Sequence, residues 1–139
     1  MSQSTVVLLL LLAIAVAFGV VTDRVVRRRL QTYWQRACTG RQWKRRFPDA
    51  SKSQIRAFLN LFVTAFAFGR ERLLCFSPDD RVLDVYRTLY PPKLTLADAL
   101  ELETFAHDLQ KTYGTDVLHI WRDDITLGDL FALTRTNVA

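Results

Sequence analysis

Two histidines and a scatter of aspartates are the residues in this chain best suited to acid–base or metal chemistry. His107 is followed by Asp108, and His119 is flanked in sequence by Asp116, Asp123 and Asp124. An imidazole beside a carboxylate can move a proton near neutral pH, and such groups can hold a metal where they converge in space. Nothing in their spacing requires convergence, and single His and Asp residues on helix surfaces are common. Asp79-Asp80-Arg81 and Asp123-Asp124 read as turn and cap residues. Cys75, between Leu74 and Phe76, reads as core, whereas Cys38 stands among cations as an exposed thiol or a palmitoylation candidate. Two cysteines make no disulfide framework, and with two histidines they do not give the spacing of a structural zinc site. There is no glycine-rich phosphate loop, no Ser-His-Asp order and no nucleophile elbow. The expectation is a non-enzymatic protein with no catalytic residue, no metal and no cofactor.

The elements that would position these residues divide by charge. The chain has 139 residues with 19 Lys+Arg against 14 Asp+Glu, enough for one modest domain. Residues 1 to 56 carry 11 basic and 2 acidic side chains, whereas residues 57 to 139 carry 8 and 12. The first part is therefore +9 and the second −4. Such a split points to an anchor or binding arm joined to an acidic domain.

Residues 5 to 22 form an uncharged, mostly apolar run centred on Leu8-Leu9-Leu10-Leu11-Leu12. As a helix this run is roughly 27 Å long, close to the hydrocarbon thickness of a bilayer. It has no polar face to meet water, which excludes a helix on a soluble core. A cleaved leader would need positive charge before the apolar stretch, and Met1-Ser2-Gln3-Ser4 supplies none beyond the amino group. The expectation is a retained single span. Nine cations and no acid lie between residues 24 and 46, so the N-terminus should face outward and the rest the cytoplasm.

Residues 23 to 50 interleave those cations with Tyr33, Trp34, Trp43 and Phe47. Beside a membrane span, this pattern suits an anionic lipid surface at ~1 kcal/mol per cation, with Trp at the interface. Arg24, Arg27, Arg28, Arg29, Trp34, Trp43, Lys44, Arg45 and Arg46 are the expected contacts. Nucleic acid is not an expected partner. Phe47-Pro48-Asp49 then marks the boundary of the next unit.

From residue 51 to 135 the pattern predicts a small helical domain. Ser51 and Gln54 have capping-box spacing, and Ile55, Phe58, Leu59, Phe62, Val63 and Phe66 make one apolar helix face, capped by Gly69. Ser77-Pro78-Asp79-Asp80 and Pro91-Pro92 punctuate a long connection, in which Val82 to Tyr90 could dock a short helical turn. Thr95 and Asp98 open a second helix whose stripe is Leu102, Phe105, Ala106, Leu109 and Tyr113, ended by Gly114. Val117, Leu118, Ile120, Trp121 and Ile125 supply further apolar contacts. Thr126 and Asp129 cap a last short helix with Leu127, Leu130 and Phe131 inward. No long alternation of period two occurs, so the fold class is all-α: one transmembrane helix followed by a bundle of three to four helices.

The run from Asp98-Ala99-Leu100-Glu101-Leu102-Glu103 to Lys111-Thr112-Tyr113-Gly114 resembles acyl carrier proteins, whose second helix begins at an Asp-Ser-Leu motif. That helix is acidic outside and apolar inside, and an aromatic and a small residue close it as Tyr113 and Gly114 do here. The likeness continues through Asp116-Val117 to Ile125-Thr126-Leu127-Gly128-Asp129-Leu130, and upstream through Phe68-Gly69 and Leu74 to Asp84. It covers about residues 53 to 134, with a longer connecting loop. The chain is also similar to uncharacterised bacterial acyl-carrier-like families that lack the serine. The resemblance implies a four-helix carrier fold and acidic faces that partner proteins recognise. It also implies a phosphopantetheine attachment point, yet Ala99 stands there and has no nucleophile. Asp98, Glu101, Glu103 and Asp108 are accordingly the expected interaction face for an unknown protein partner. The alternatives are an accessory subunit acting through its transmembrane helix, or a carrier modified at an unusual site.

Overall fold

A computed structural model describes residues 2–91 and 99–137. Among them the chain is all-α, and one isolated bridge between Arg81 and Thr126 replaces any strand. Helix α1, Gln3–Trp34, spans 32 residues, or roughly 48 Å at the usual rise. It is the one described helix long and apolar enough to cross a membrane, and none of its most apolar window is buried by protein. It does not stop where the apolar run ends. Its last turns carry Leu30 and Tyr33 into the core, with Val26 and Trp34 packed alongside.

Helix α2, Gly40–Arg46, is short and ends on Phe47. Helix α3, Lys52–Ala65, begins at the expected capping box: Ser51 Oγ accepts from Gln54 N–H, and Gln54 Oε1 accepts from Ser51 N–H. All six residues of its predicted stripe are buried. Its C-terminus differs from expectation. The left-handed turn residue is Ala67, with φ +56°, while Gly69 is extended and precedes a 3₁₀ segment, Arg70–Cys75. The chain turns two residues early because Phe68 folds back onto Phe62, Phe66 and Phe76.

Helix α4, Val82–Leu89, forms within the long connection. Helix α5, Leu100–Tyr113, ends on Gly114 at φ +67°, as its glycine predicts. The proposed cap residues Thr95 and Asp98 lie outside the described residues. A single turn, α6 (Val117–Ile120), leads to α7, Leu127–Thr136, where Thr126 and Asp129 complete a second capping box. Leu118, expected in the core, is 80% exposed because α6 turns Val117 and, partly, Ile120 inward and leaves Leu118 on its outer side.

Segment 78–82 and the α7 cap run side by side. Pro78 and Asp80 carbonyls accept from Gly128 and Leu127 N–H groups at 2.8 and 2.9 Å, and Val82 N–H donates to Ile125 at 3.2 Å. A Cβ on Gly128 would fall 2.8 Å from the Pro78 carbonyl oxygen, so the close approach needs glycine.

The main correction concerns residues 23–50. Trp43 is fully buried rather than at a lipid surface, and Phe47 and Ala50 join it in the core. Trp34 meets Phe68 and Phe76 edge-on at centroid distances of 5.2 and 5.7 Å. Lys44 donates to the Pro48 and Ala50 carbonyls, and Arg46 pairs with Asp79 and Asp129. These four side chains serve the fold because the sequence that follows supplies acceptors and aromatic partners that a bilayer would otherwise have to provide. Arg24, Arg27, Arg28, Arg29 and Arg45 remain exposed.

Candidate functional site

The start of α5 is where the resemblance placed a reactive serine, and here a tyrosine pair organises it. Tyr86 and Tyr90 lie one turn apart on α4 and at its end, with ring centroids 5.2 Å apart. Ala99 N–H donates to Tyr86 Oη at 3.2 Å, and the Tyr90 hydroxyl donates to the Glu101 carboxylate. Ala99 itself is left-handed, with φ +53°, and its carbonyl accepts from Glu103 N–H at 3.0 Å. The methyl group at this position offers neither a nucleophile nor a hydrogen bond.

The acidic face divides. Successive helix residues rotate by about 100°, which puts Glu101 and Asp108 on one side and Glu103 about 200° from Glu101. Glu101 is turned toward Tyr90 and is partly buried, while Glu103 is exposed. Glu103 lines a shallow groove with His107, Gln110 and Asp116, beside exposed Leu118. Asp98 lies outside the described residues. A single acidic face was expected because four acids in eleven residues look contiguous, but helical rotation separates them. Two acids in the first turn of α5 still favour its positive end.

His119 Nδ1 and Asp116 Oδ2 do meet, at 2.5 Å, as an exposed pair one turn apart. His107 shares the groove with Asp116, whereas Asp124 is turned away to Arg122 at 3.0 Å. Among the described residues no group of three or more His, Cys, Asp or Glu side chains converges as a metal site.

The arrangement that sequence reasoning missed is the coupling of the end of α1 to the rest of the domain. Arg36, just after α1, donates to Asp80 at 2.6 Å and to the Cys75 carbonyl at 3.3 Å, and stacks over Tyr33 at 4.7 Å. The hydrogen bond from Arg36 to Asp80 raises the guanidinium pKa further above its ordinary value, against the opposing effect of burial. Asp80 also accepts from Ser77 N–H at 2.7 Å. Arg72 lies over the Trp34 ring at 4.7 Å. The only sequence signal for this was the turn chemistry of residues 77–80.

Fold and site together define an all-α domain built on the end of an N-terminal helix that is apolar enough to span a membrane. No protein-family profile, curated protein or solved structure matches the chain.

Proposed function

We propose that the chain is a non-enzymatic, single-pass membrane protein whose C-terminal helical domain docks a protein partner in the cytoplasm. The observation that carries this reading is the unbroken course of α1 from a fully protein-free apolar stretch into the domain core at Leu30 and Tyr33. A helix that is continuous across that junction transmits position, so a partner held by the domain is held at a fixed place beside the bilayer. The uncharged N-terminal flank and the exposed cations Arg24, Arg28 and Arg29 favour a retained span with the domain on the cytoplasmic side.

The order of α3, a long connection, α5, the single turn α6 and α7 supports a carrier-like domain, and Ala99 directly before α5 supports loss of the carrier chemistry. Ser77 is buried and accepts from Asp79 N–H, and Ser51 caps α3, so neither is a ready substitute for the missing hydroxyl. Among the described residues Glu103 and Asp108 are the acids of α5 with no ion pair or hydrogen bond to their side chains; about 140° apart around the helix, they are two separate docking contacts rather than one face.

Full-length protein should capture a partner from native membrane extracts, and Glu103→Lys with Asp108→Lys should lose it while keeping the same thermal midpoint. Unchanged capture by that variant rejects both contacts. Loss of capture on deleting residues 1–23 alone would move the contact to the transmembrane helix. Incubation with coenzyme A and a phosphopantetheinyl transferase should add no mass to the wild type, and modification of Ala99→Ser would support the carrier-like reading.

A further inference from the structure

Between the α1–α2 turn and the first turns of α3 lies a cavity of about 310 Å³. Arg41, Lys44, Lys52 and Arg56 line it, and no carboxylate does. Ile55, buried at 3% exposure, and Leu74 form an apolar wall, and the exposed thiol of Cys38 stands in the lining. Three of the four cations, Arg41, Lys52 and Arg56, make no ion pair or hydrogen bond through their side chains among the described residues. The fourth is fixed: Lys44 Nζ donates to the carbonyls of Pro48 and Ala50 at 2.9 and 2.6 Å. An ammonium has three donors, so one remains for a ligand.

This arrangement contrasts with the rest of the basic stretch. Arg36 and Arg46 are drawn to Asp80, Asp79 and Asp129, so the fold has acids available and uses them elsewhere. Lys52 and Arg56 are four residues apart on one helix, a like-charge spacing that costs a few tenths of a kcal/mol in isolation. Lys52 is also the first residue of α3, where the positive end of the helix dipole adds to the field. Four like charges around one concavity whose lining holds no carboxylate make a site suited to an anion. Two guanidinium groups and two ammonium groups suit phosphate oxygens, with Arg supplying paired donors and Lys point charge.

We propose that this groove binds a phosphate-bearing anion, with its non-polar portion against Ile55 and Leu74. The ligand is either a soluble phosphorylated molecule or the headgroup of an anionic phospholipid. The site is distinct from the α5 face and stands independently of partner docking there.

Cys38 supplies a built-in reporter, because a ligand in the groove shields its thiol. Full-length protein in phosphatidylcholine nanodiscs is alkylated with N-ethylmaleimide, and the rate at Cys38 is read by peptide mass spectrometry. Pyrophosphate at about ten times its dissociation constant leaves roughly one site in eleven empty, so alkylation should slow about tenfold. Sodium chloride at equal ionic strength should not slow it. Arg41→Ala, Lys52→Ala and Arg56→Ala together should abolish the protection, with the thermal midpoint checked against wild type; Arg56→Ala alone should weaken it. If pyrophosphate has no effect but nanodiscs containing phosphatidic acid give the same charge-dependent protection, the ligand is the lipid headgroup. Absence of protection in both, equal protection by chloride, or protection that survives the triple substitution overturns the proposal.

Discussion

The indole of Trp43 donates to the carbonyl of Phe76 at 2.8 Å across 33 residues of sequence. The same carbonyl accepts, at 2.7 Å, from the Thr39 hydroxyl, whose single proton is shared with the Leu74 carbonyl at 2.9 Å. The Phe76 ring meanwhile contacts Tyr33, Trp34, Phe62 and Phe68. One residue of the long connection therefore gathers the end of α1, α2 and α3. It joins residues 30–47 to the rest of the domain more firmly than any salt bridge on the surface could.

Truncating Trp43 should accordingly damage the whole domain. Trp43→Ala removes a fully buried ring and leaves a cavity, at a cost of about 3–5 kcal/mol. Trp43→Phe keeps most of the packing, and Thr39 still satisfies the Phe76 carbonyl, so the loss should be about 1–2 kcal/mol. Urea midpoints at unchanged slope measure both. Equal midpoints for Trp43→Ala and wild type would place this residue at the surface after all.

What could be read in the sequence was local. Ser51 with Gln54, and Thr126 with Asp129, declare their capping boxes within four residues, and the α3 stripe declares its face by period alone. Trp43 and Arg46 were illegible because their partners, Phe76, Asp79 and Asp129, are far along the chain. An aromatic among cations has the same pattern whether a bilayer or a core receives it. The acid cluster of α5 failed for a different reason. Its membership was legible, but rotation about the helix axis and the hold of Tyr90 on Glu101 separate residues that adjoin in sequence.

Asp129 should make part of the domain's stability depend on pH. Burial alone would raise its pKa, but its interactions with Thr126 and the charge of Arg46 outweigh this and hold it below the ordinary 3.8. A depressed folded value means stabilisation that is complete above the unfolded pKa and lost as pH falls through the folded one. Between about pH 5 and 2, wild-type stability should fall more steeply than that of Asp129→Asn. At neutral pH the variant should be weaker by on the order of 1 kcal/mol, because Arg46 and Arg122 lose a charged acceptor. Parallel thermal-midpoint curves for the two proteins through this range would rule out the contribution.

Ala99 holds a left-handed conformation that costs an L-residue about 1–2 kcal/mol. Glycine removes that strain but loses more backbone entropy on folding, by about 0.5–1 kcal/mol. Ala99→Gly should therefore stabilise the domain slightly, by about 0.5 kcal/mol, and Ala99→Val should destabilise it, since a β-branched side chain fits this region worse. Denaturant midpoints separate these signs. Destabilisation by glycine would mean that the Tyr86 hydrogen bond to Ala99 N–H depends on the methyl group.

The position of the true domain boundary is the strongest test of the structure. If the domain began at residue 51, a chain starting there would fold as well as a longer one. The core, however, includes Leu30, Tyr33, Trp43 and Phe47, none more than 8% exposed. Burial of each large apolar side chain contributes about 1.5–3 kcal/mol, so the four together rival the whole 5–15 kcal/mol stability of a typical domain. A chain starting at residue 24 keeps all four, with Val26 and Trp34, and loses only the apolar stretch that none of the other described residues covers. It should be monomeric by size-exclusion chromatography and unfold cooperatively. A chain starting at residue 51 should expose Phe76 and Phe131, aggregate, and show no cooperative transition. Cooperative unfolding of that shorter chain at the same midpoint would return residues 24–50 to the status of a peripheral arm.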